Sequence, residues 1–413
     1  MTAPLDPSGK LSRWRPLLPW LWALLPVIVG FCLCQVLYVV ATDRDFWTIM
    51  ARWMPYPAWP FYGDLTITLQ HLGDAQRGLD PLSDPTSEFA YPRAVLALRH
   101  LHLQDIPAPL MGTLQAAIWM AAVIYVLRPR SAGRAILTTL IFFAPPIMFG
   151  LEEGNIDLAL FVLCLAAAVL WARSDNLRRM CWPVALSMLA AFLKLYPAFL
   201  LIGGAWTDTA RRRLLWILAM VIAGSYWAAI PEEFGLVMSK FHLGYGRSWG
   251  CLVVFNKQQL NDLPHLWLIA GAVYTLGFLT ASITGHCLAA DFKDSHNDRK
   301  EWAYYWFGAA ICCGSFLTTN YAYRWVYTIL TLPLLLRVAC ATRFRPALWA
   351  RITLAVMAIS LGSSLNLNVK GTPFMIVQMA NWAYVLLLAG GFAALRPHFL
   401  DKGSGEDQVK AGG

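Results

Sequence analysis

Charged side chains are scarce in this 413-residue chain: they make up 14% of it, against 58% for hydrophobic residues. A soluble domain carries about 25% charged residues, so the deficit excludes an ordinary soluble protein. The chain also has no Walker-type phosphate loop, no HExxH helix and no CxxC pair. A nucleotide-driven reaction in the cytoplasm is therefore not expected.

The nine cysteines and the net charge of +9 give little evidence for a disulfide-stabilised or a nucleic-acid-binding protein. Most of the cysteines lie inside apolar blocks, which is typical of small buried hydrophobes rather than of a disulfide framework. His71, His100 and His102 lack metal-ligand spacing, so no metal ligand is assigned and no cofactor is predicted; whether the protein requires a metal stays open. The excess of basic residues is better explained by cytoplasmic loops than by binding of nucleic acid.

Long apolar blocks bounded by charged residues or proline recur along the chain. A helix needs about 20 apolar residues to cross the hydrocarbon core, so the pattern predicts an all-α, polytopic transmembrane bundle. We predict spans at 17–41, 109–127, 133–149, 156–172, 214–230, 264–288, 302–318, 325–341, 347–365 and 372–395, in addition to the block 181–206.

The block 181–206 contains one charged side chain, Lys194, and has basic residues on both flanks. A single crossing would place one of these flanks outside, against the positive-inside rule. Two short crossings that turn near Lys194 would keep every basic loop inside, and Pro197 favours such a break. The alternative is one kinked helix with Lys194 reaching towards the membrane surface.

The hairpin interpretation predicts about twelve crossings, with both termini in the cytoplasm. Residues 1–395 then form a single transmembrane domain, and 396–413 form a disordered cytoplasmic tail. The first extracytoplasmic loop, 42–108, is one of two long loops, and both lie outside. Long loops with aromatic and charged residues are where function tends to concentrate.

Within this loop, the spacing of Leu65, Leu69 and Leu72 predicts a short amphipathic helix over 64–77, lying at the membrane interface. Asp64 stands at its start. On spacing alone, a helix-capping role for Asp64 ranks ahead of a catalytic one.

Other polar residues are predicted on the same face. The segment LEEGNID places acidic residues at the mouth of a span, and capping explains only one of Asn155 and Asp157. Arg324 lies outside, against the positive-inside trend, and a cation there suits a phosphate at headgroup level. The candidate set on this face is Tyr91, Arg93, Glu152, Glu153, Asn155, Asp157, Lys194, Tyr196, Arg247, Tyr321, Tyr323 and Arg324.

Four segments together resemble the GT-C superfamily of integral-membrane glycosyltransferases, most closely the family 87 type, which uses polyprenol-phosphate-mannose. They are Asp64 with Gly78 and Tyr91-Pro92, then EEGNIDLALF, FLKLYPAFLL and NYAYRWVYTILTLP. The likeness spans roughly residues 60 to 335. Glu153 stands where the family has arginine, and Arg93 stands where it has a second proline.

The resemblance implies that Asp64 is the general base for an inverting transfer of a hexose from a polyprenyl-phosphate donor to an acceptor hydroxyl. Mannose is the hexose that the resemblance favours. It also implies that Lys194 and Arg324 bind the leaving phosphate, with Arg247 a weaker candidate. The partners would be membrane lipid, the lipid-linked donor, and a glycolipid or glycan acceptor. The protein would be integral to the plasma membrane, with its active face extracytoplasmic. The alternative is a polytopic transporter or a flippase for lipid-linked sugars.

Overall fold

The computed structural model describes residues 62–87, 89–129, 131–207, 210–239, 248–251, 266–292, 298–317, 320–363 and 372–411. These residues are almost entirely helical. The helices are α1 (Gly63–Gln76), α2 (Arg93–Leu96), α3 (Ala108–Leu127), α4 (Ala132–Phe142), α5 (Pro145–Glu153), α6 (Ile156–Arg173), α7 (Leu177–Leu193), α8 (Phe199–Thr207), α9 (Ala210–Ala229), α10 (Pro231–Ser239), α11 (Leu266–Cys287), α12 (Arg299–Phe316), α13 (Leu332–Ala339), α14 (Phe344–Ser363) and α15 (Thr372–Ala411).

Shorter elements connect these helices. Two two-residue strands, β1 (Ser248–Trp249) and β2 (Asn320–Tyr321), pair antiparallel. The 3₁₀ helices are Ala97–Leu101, Leu103–Asp105, Tyr196–Ala198, Ala289–Phe292 and Ala322–Thr331.

Within the described residues, five helices are long and apolar enough to cross a membrane: α3, α6, and parts of α11, α14 and α15. Two bent pairs, α4 with α5 (56°) and α9 with α10 (79°), raise the number to seven if each pair is one span. The all-α prediction is confirmed, and the five to seven candidate spans are consistent with a membrane protein. The predicted span 17–41 lies outside the described residues, and the number of twelve crossings stays a prediction.

Proline explains where two predicted spans are interrupted. The span 133–149 breaks between α4 and α5, where Ala144 is extended (ψ 131°) before Pro145. A residue that precedes proline is disfavoured in the α region. The block 181–206 breaks at Lys194, whose backbone is extended (φ −151°, ψ 142°). Pro197 has no N–H to donate to the Leu193 carbonyl, and its ring would clash with that carbonyl. The predicted break is confirmed.

The nine-residue α8 is about 14 Å long at 1.5 Å per residue, which is too short to cross a bilayer alone. The two crossings predicted for 181–206 therefore stay a prediction.

The span predicted at 325–341 is not one α-helix. Its first half is the 3₁₀ helix Ala322–Thr331, and α13 follows. The hydroxyl of Thr328 donates to the carbonyl of Trp325, and that of Thr331 to the carbonyl of Thr328, both at 2.7 Å. Pro333 lies in the first turn of α13, where a missing N–H costs nothing. The last helix also differs from expectation, because α15 continues through Ala411, over most of the predicted disordered tail.

Small residues allow α11 and α15 to pack closely. A Cβ on Gly285 of α11 would lie 1.9 Å from the carbonyl oxygen of Gly390 on α15, so the two backbones touch. Small residues that allow such approach are typical of membrane helix interfaces. The buried helix α12 lies at the centre, packed against α6, α8, α15 and the 322–331 3₁₀ helix.

Helix α1 forms as predicted, with Leu65, Leu69 and Leu72 buried on one face. It packs against α3, α5 and the 3₁₀ turns that follow α2. The N-cap of α1 is Tyr62, in a left-handed conformation (φ 64°) and without a side-chain cap. Asp64 lies inside the first turn, so the capping interpretation of Asp64 is wrong.

Candidate functional site

Polar residues from distant parts of the sequence meet beside the N-terminus of α1. The contributing segments are α1 itself, the α5–α6 junction, the break between α7 and α8, and the 322–331 3₁₀ helix. The breaks in the helices matter here, because each one turns a polar side chain into the bundle. Polar and charged side chains at membrane depth face such interiors or cavities.

The α5–α6 junction is a tight reversal at Gly154 and Asn155. Gly154 ends α5 in the left-handed region (φ 60°). Asn155 is fully buried and caps α6, since its side-chain oxygen accepts the Asp157 N–H at 3.0 Å. This confirms that capping accounts for one of the two residues. Asp157 is left free to use its side chain elsewhere.

Substituting Gly154 with alanine should destabilise the protein more than substituting Gly78. Both glycines have positive φ, so alanine carries a similar backbone cost of about 1–2 kcal/mol at each position. A Cβ at 154 would also lie 3.0 Å from Tyr62 and Leu65, whereas one at 78 would meet nothing within 4 Å. Thermal unfolding in detergent measures the difference. Equal losses of stability would show that the α1 contact is unimportant.

Asp64 is half-buried and is held by the α5–α6 junction. The side-chain amide of Asn155 donates a hydrogen bond to Asp64 Oδ2. The backbone N–H of Asp64 donates to Glu153 Oε2 at 3.3 Å. The N–H of Tyr62 donates to the carbonyl oxygen of Glu152 at 2.6 Å, which fixes the entry into α1. These contacts place the Asp64 carboxylate beside the buried cluster.

Asp157 is the centre of the buried cluster. Its Oδ1 accepts hydrogen bonds from Lys194 Nζ at 3.0 Å, from the Tyr327 hydroxyl at 3.3 Å and from the Tyr196 hydroxyl. Its Oδ2 lies 3.7 Å from Arg324 Nε. The side chains of Asp157 and Arg324 are 1% and 2% exposed, and that of Lys194 is 8% exposed. One carboxylate therefore stands between two buried cations.

Arg324 has unused hydrogen-bonding capacity. Its Nε and Nη1 have no hydrogen-bond partner among the described residues. Its guanidinium lies 4.3 Å from the centre of the Tyr196 ring, which orients it by cation–π contact. A buried polar group without a partner costs free energy, and a ligand oxygen would remove that cost.

Lys194 connects the two halves of the site. Its Nζ lies 3.4 Å from Asn155 Oδ1, and Asn155 in turn contacts Asp64. The ring centre of Tyr91 lies 5.2 Å from the same Nζ. Burial raises the pKa of the Tyr91 phenol well above 10.0, and the nearby carboxylates of Asp64 and Asp157 raise it further. Tyr91 therefore stays protonated and neutral.

The structure brings most of the predicted residues together and leaves some out. The assembled set is Asp64, Tyr91, Glu153, Asn155, Asp157, Lys194, Tyr196 and Arg324, with Glu152 beside it.

Arg93 contacts Asp80 and Glu233 rather than this cluster. Tyr321 lies in β2 and Tyr323 in the 322–331 3₁₀ helix. Arg247 lies outside the described residues.

Sequence reasoning missed Tyr327, which is fully buried and contacts both Tyr196 and Asp157. In a 3₁₀ helix the side chains at i and i+3 eclipse, so Arg324 and Tyr327 lie on one face. The predicted span begins at residue 325, so it leaves Arg324 outside the helix that contains Tyr327. Glu233 was also missed, and only its contact with Arg93 reveals it.

The stretch Gly246-Arg247-Ser248-Trp249-Gly250 has GxSxG spacing, which in hydrolases marks a nucleophile at a strand-to-helix turn. Ser248 instead lies within β1, paired with Tyr321. Among the described residues, no group of three or more His, Cys, Asp or Glu side chains is placed to hold a metal ion.

Comparison with protein-family models, with curated proteins and with solved structures finds no match for this chain. The geometry of the cluster is therefore the basis for a functional assignment.

Proposed function

We propose that this protein is an inverting membrane glycosyltransferase that moves a hexose, with mannose favoured by the sequence resemblance, from a polyprenyl-phosphate donor to an acceptor hydroxyl. The active face is extracytoplasmic, and the membrane is the plasma membrane. The observation that carries the proposal is the buried Arg324, which is ion-paired with Asp157 but whose Nε and Nη1 have no hydrogen-bond partner among the described residues, in one cluster with Lys194. Asn155 links this cluster to Asp64.

The residues divide the reaction between them. The Asp64 carboxylate removes the proton from the acceptor hydroxyl. The hydroxyl oxygen then forms a bond to the anomeric carbon, and the bond from that carbon to the phosphate oxygen breaks. The phosphate leaves with the electron pair, stabilised by Arg324 and Lys194. Asp157 holds both cations in place throughout, and no strong acid is required because a phosphate is a good leaving group.

An apolar cavity supports a lipid-linked donor. It has a volume of about 370 Å³ and lies among α8, α11, α12 and α15. Phe199, in its wall, comes three residues after Tyr196 of the cluster, and Leu317 lines it just beyond α12. None of the cluster residues lines this cavity, so a path that joins a phosphate at Arg324 to a polyprenyl chain in the cavity is part of the proposal.

The broken helices favour a second candidate, a transporter or flippase for lipid-linked sugars. Discontinuous helices around buried charges are typical of transporter sites. The structure has such breaks between α4 and α5 and between α9 and α10 as well as at Lys194. Both candidates would bind the same lipid phosphate, so transfer and translocation must be measured separately.

Proteoliposomes with radiolabelled polyprenyl-phosphate-mannose test the proposal. We expect transfer of mannose to an added glycolipid acceptor. We also expect Arg324→Met to weaken binding of the donor by about tenfold or more, since it removes a charge-assisted contact. Arg337→Met is the matched control, because Arg337 is paired with Glu301 in another part of the fold. Movement of intact donor across the bilayer without any transfer would support the flippase instead.

A further inference from the structure

The segment between α1 and α2 reaches the buried cluster through one residue, Tyr91. We call residues 78–87 and 89–92 the strap. Tyr91, near its end, places its ring 5.2 Å from Lys194 Nζ. The strap itself has little regular structure, so something must hold Tyr91 at this position.

Glu233 holds one side of the strap. It lies in the first turn of α10, and its side chain is 4% exposed. Its Oε1 accepts the backbone N–H of Arg93 at 2.9 Å, and its Oε2 lies 3.4 Å from Arg93 Nη1. A buried carboxylate needs such charged or hydrogen-bonded partners. Both of these bonds come from the residue that follows Tyr91-Pro92.

The other edge of the Arg93 guanidinium holds the beginning of the strap. Its Nε and Nη2 donate to Asp80 Oδ2 at 3.1 and 2.6 Å, and Nη2 also donates to Ser83 Oγ at 3.0 Å. The hydrogen bond from Arg93 lowers the pKa of Asp80 below its usual 3.8. All three guanidinium nitrogens therefore have acceptors within the protein, which leaves Arg93 little capacity to bind a substrate phosphate.

We propose that Arg93 and Glu233 are positioning residues that fasten the strap and hold Tyr91 over Lys194, closing one side of the phosphate site. This inference rests on the proposed function only for the identity of the ligand beneath the strap. Arg93 suits the role because one planar guanidinium bridges two carboxylates on different elements. Lysine, with a single ammonium group, could not make the same set of bonds.

Hydrogen–deuterium exchange of the full-length protein in detergent tests the fastening without any assay of activity. Glu233→Gln should raise the exchange rate of peptides covering residues 89–96 by about tenfold or more, because the Arg93 N–H loses a charged acceptor. Arg93→Lys keeps this backbone N–H and its acceptor, but it should also raise exchange in these peptides, because its ammonium group cannot bond Asp80 and Glu233 together. Glu232→Gln is the matched control: Glu232 is adjacent, acidic and exposed, and it should leave the exchange unchanged.

The steady-state kinetics of transfer from polyprenyl-phosphate-mannose give the second readout. If the strap positions Tyr91, Glu233→Gln should raise the KM for this donor and leave kcat nearly unchanged. Unchanged exchange at 89–96 in both variants would overturn the inference, whatever the activity. If exchange rises everywhere in Glu233→Gln, the result from Arg93→Lys decides. If the exchange rate rises only at residues 89–96 while the wild-type protein transfers no sugar, the role of Arg93 and Glu233 in holding the strap is supported. The proposed transferase activity is then contradicted.

Discussion

Asp64→Asn should reduce sugar transfer by about 10²- to 10⁴-fold, the usual contribution of a general base. The asparagine is nearly isosteric and keeps an oxygen that can accept the hydrogen bond from the Asn155 amide. The backbone N–H of residue 64 still reaches Glu153. The substitution therefore removes the base and leaves the local structure, so we expect kcat to fall with little change in donor binding.

Asp74→Asn is the matched control for this substitution. Asp74 lies on the same helix, is 28% exposed, and contacts Arg77 and His71 away from the cluster. Transfer rates from polyprenyl-phosphate-mannose in proteoliposomes should be close to wild type for Asp74→Asn. If the Asp64 variant transfers mannose at the wild-type rate, another group must accept the proton.

Much of the helical organisation was readable from the sequence, because the apolar blocks and their prolines are local signals. The start of α1, the end of α3, the limits of α6 and the break at Lys194 all follow from periodicity, hydropathy or proline chemistry. The 322–331 segment does not follow, because an apolar run with hydroxyl residues is compatible with either helix type. Its 3₁₀ geometry depends on the buried packing against α12 and α5.

The site was only partly predictable, because its charged residues are visible in the sequence but their contacts depend on the fold. Charges that break an apolar block, such as Lys194 and Asp157, are conspicuous in a sequence. Their distances and partners are not, since Asp157 and Arg324 are far apart in the chain and meet only through the fold. Arg93 illustrates the limit. The sequence places it among the candidate substrate-binding residues, and the structure instead pairs it with a carboxylate 140 residues away.

Asp157→Asn should be the most destabilising substitution in the cluster. It leaves Lys194 and Arg324 buried without their carboxylate, and breaking a buried ion pair in this way costs about 3–5 kcal/mol. Asp175→Asn is the control, because its pair with Arg179 is more than half exposed on both sides and is expected to contribute little. Thermal unfolding in detergent measures both variants.

A second substitution separates charge from packing in this result. Adding Lys194→Met to Asp157→Asn removes one of the two buried cations that lost their carboxylate, so part of the lost stability should return. If the double variant is no more stable than Asp157→Asn alone, the loss comes from packing around Tyr196 and Tyr327 rather than from charge.

The single variant Asp157→Asn also tests whether the cluster binds a lipid phosphate. With Asp157 neutral, the two cations lack a buried counterion, and a polyprenyl phosphate bound beside Arg324 would supply one. Polyprenyl phosphate should therefore raise the melting temperature of Asp157→Asn by more than it raises that of the wild type. An equal shift in both proteins would mean that the lipid phosphate binds away from these cations. Asp157 then keeps a structural role, and the phosphate-binding role of Arg324 and Lys194 would have to be abandoned.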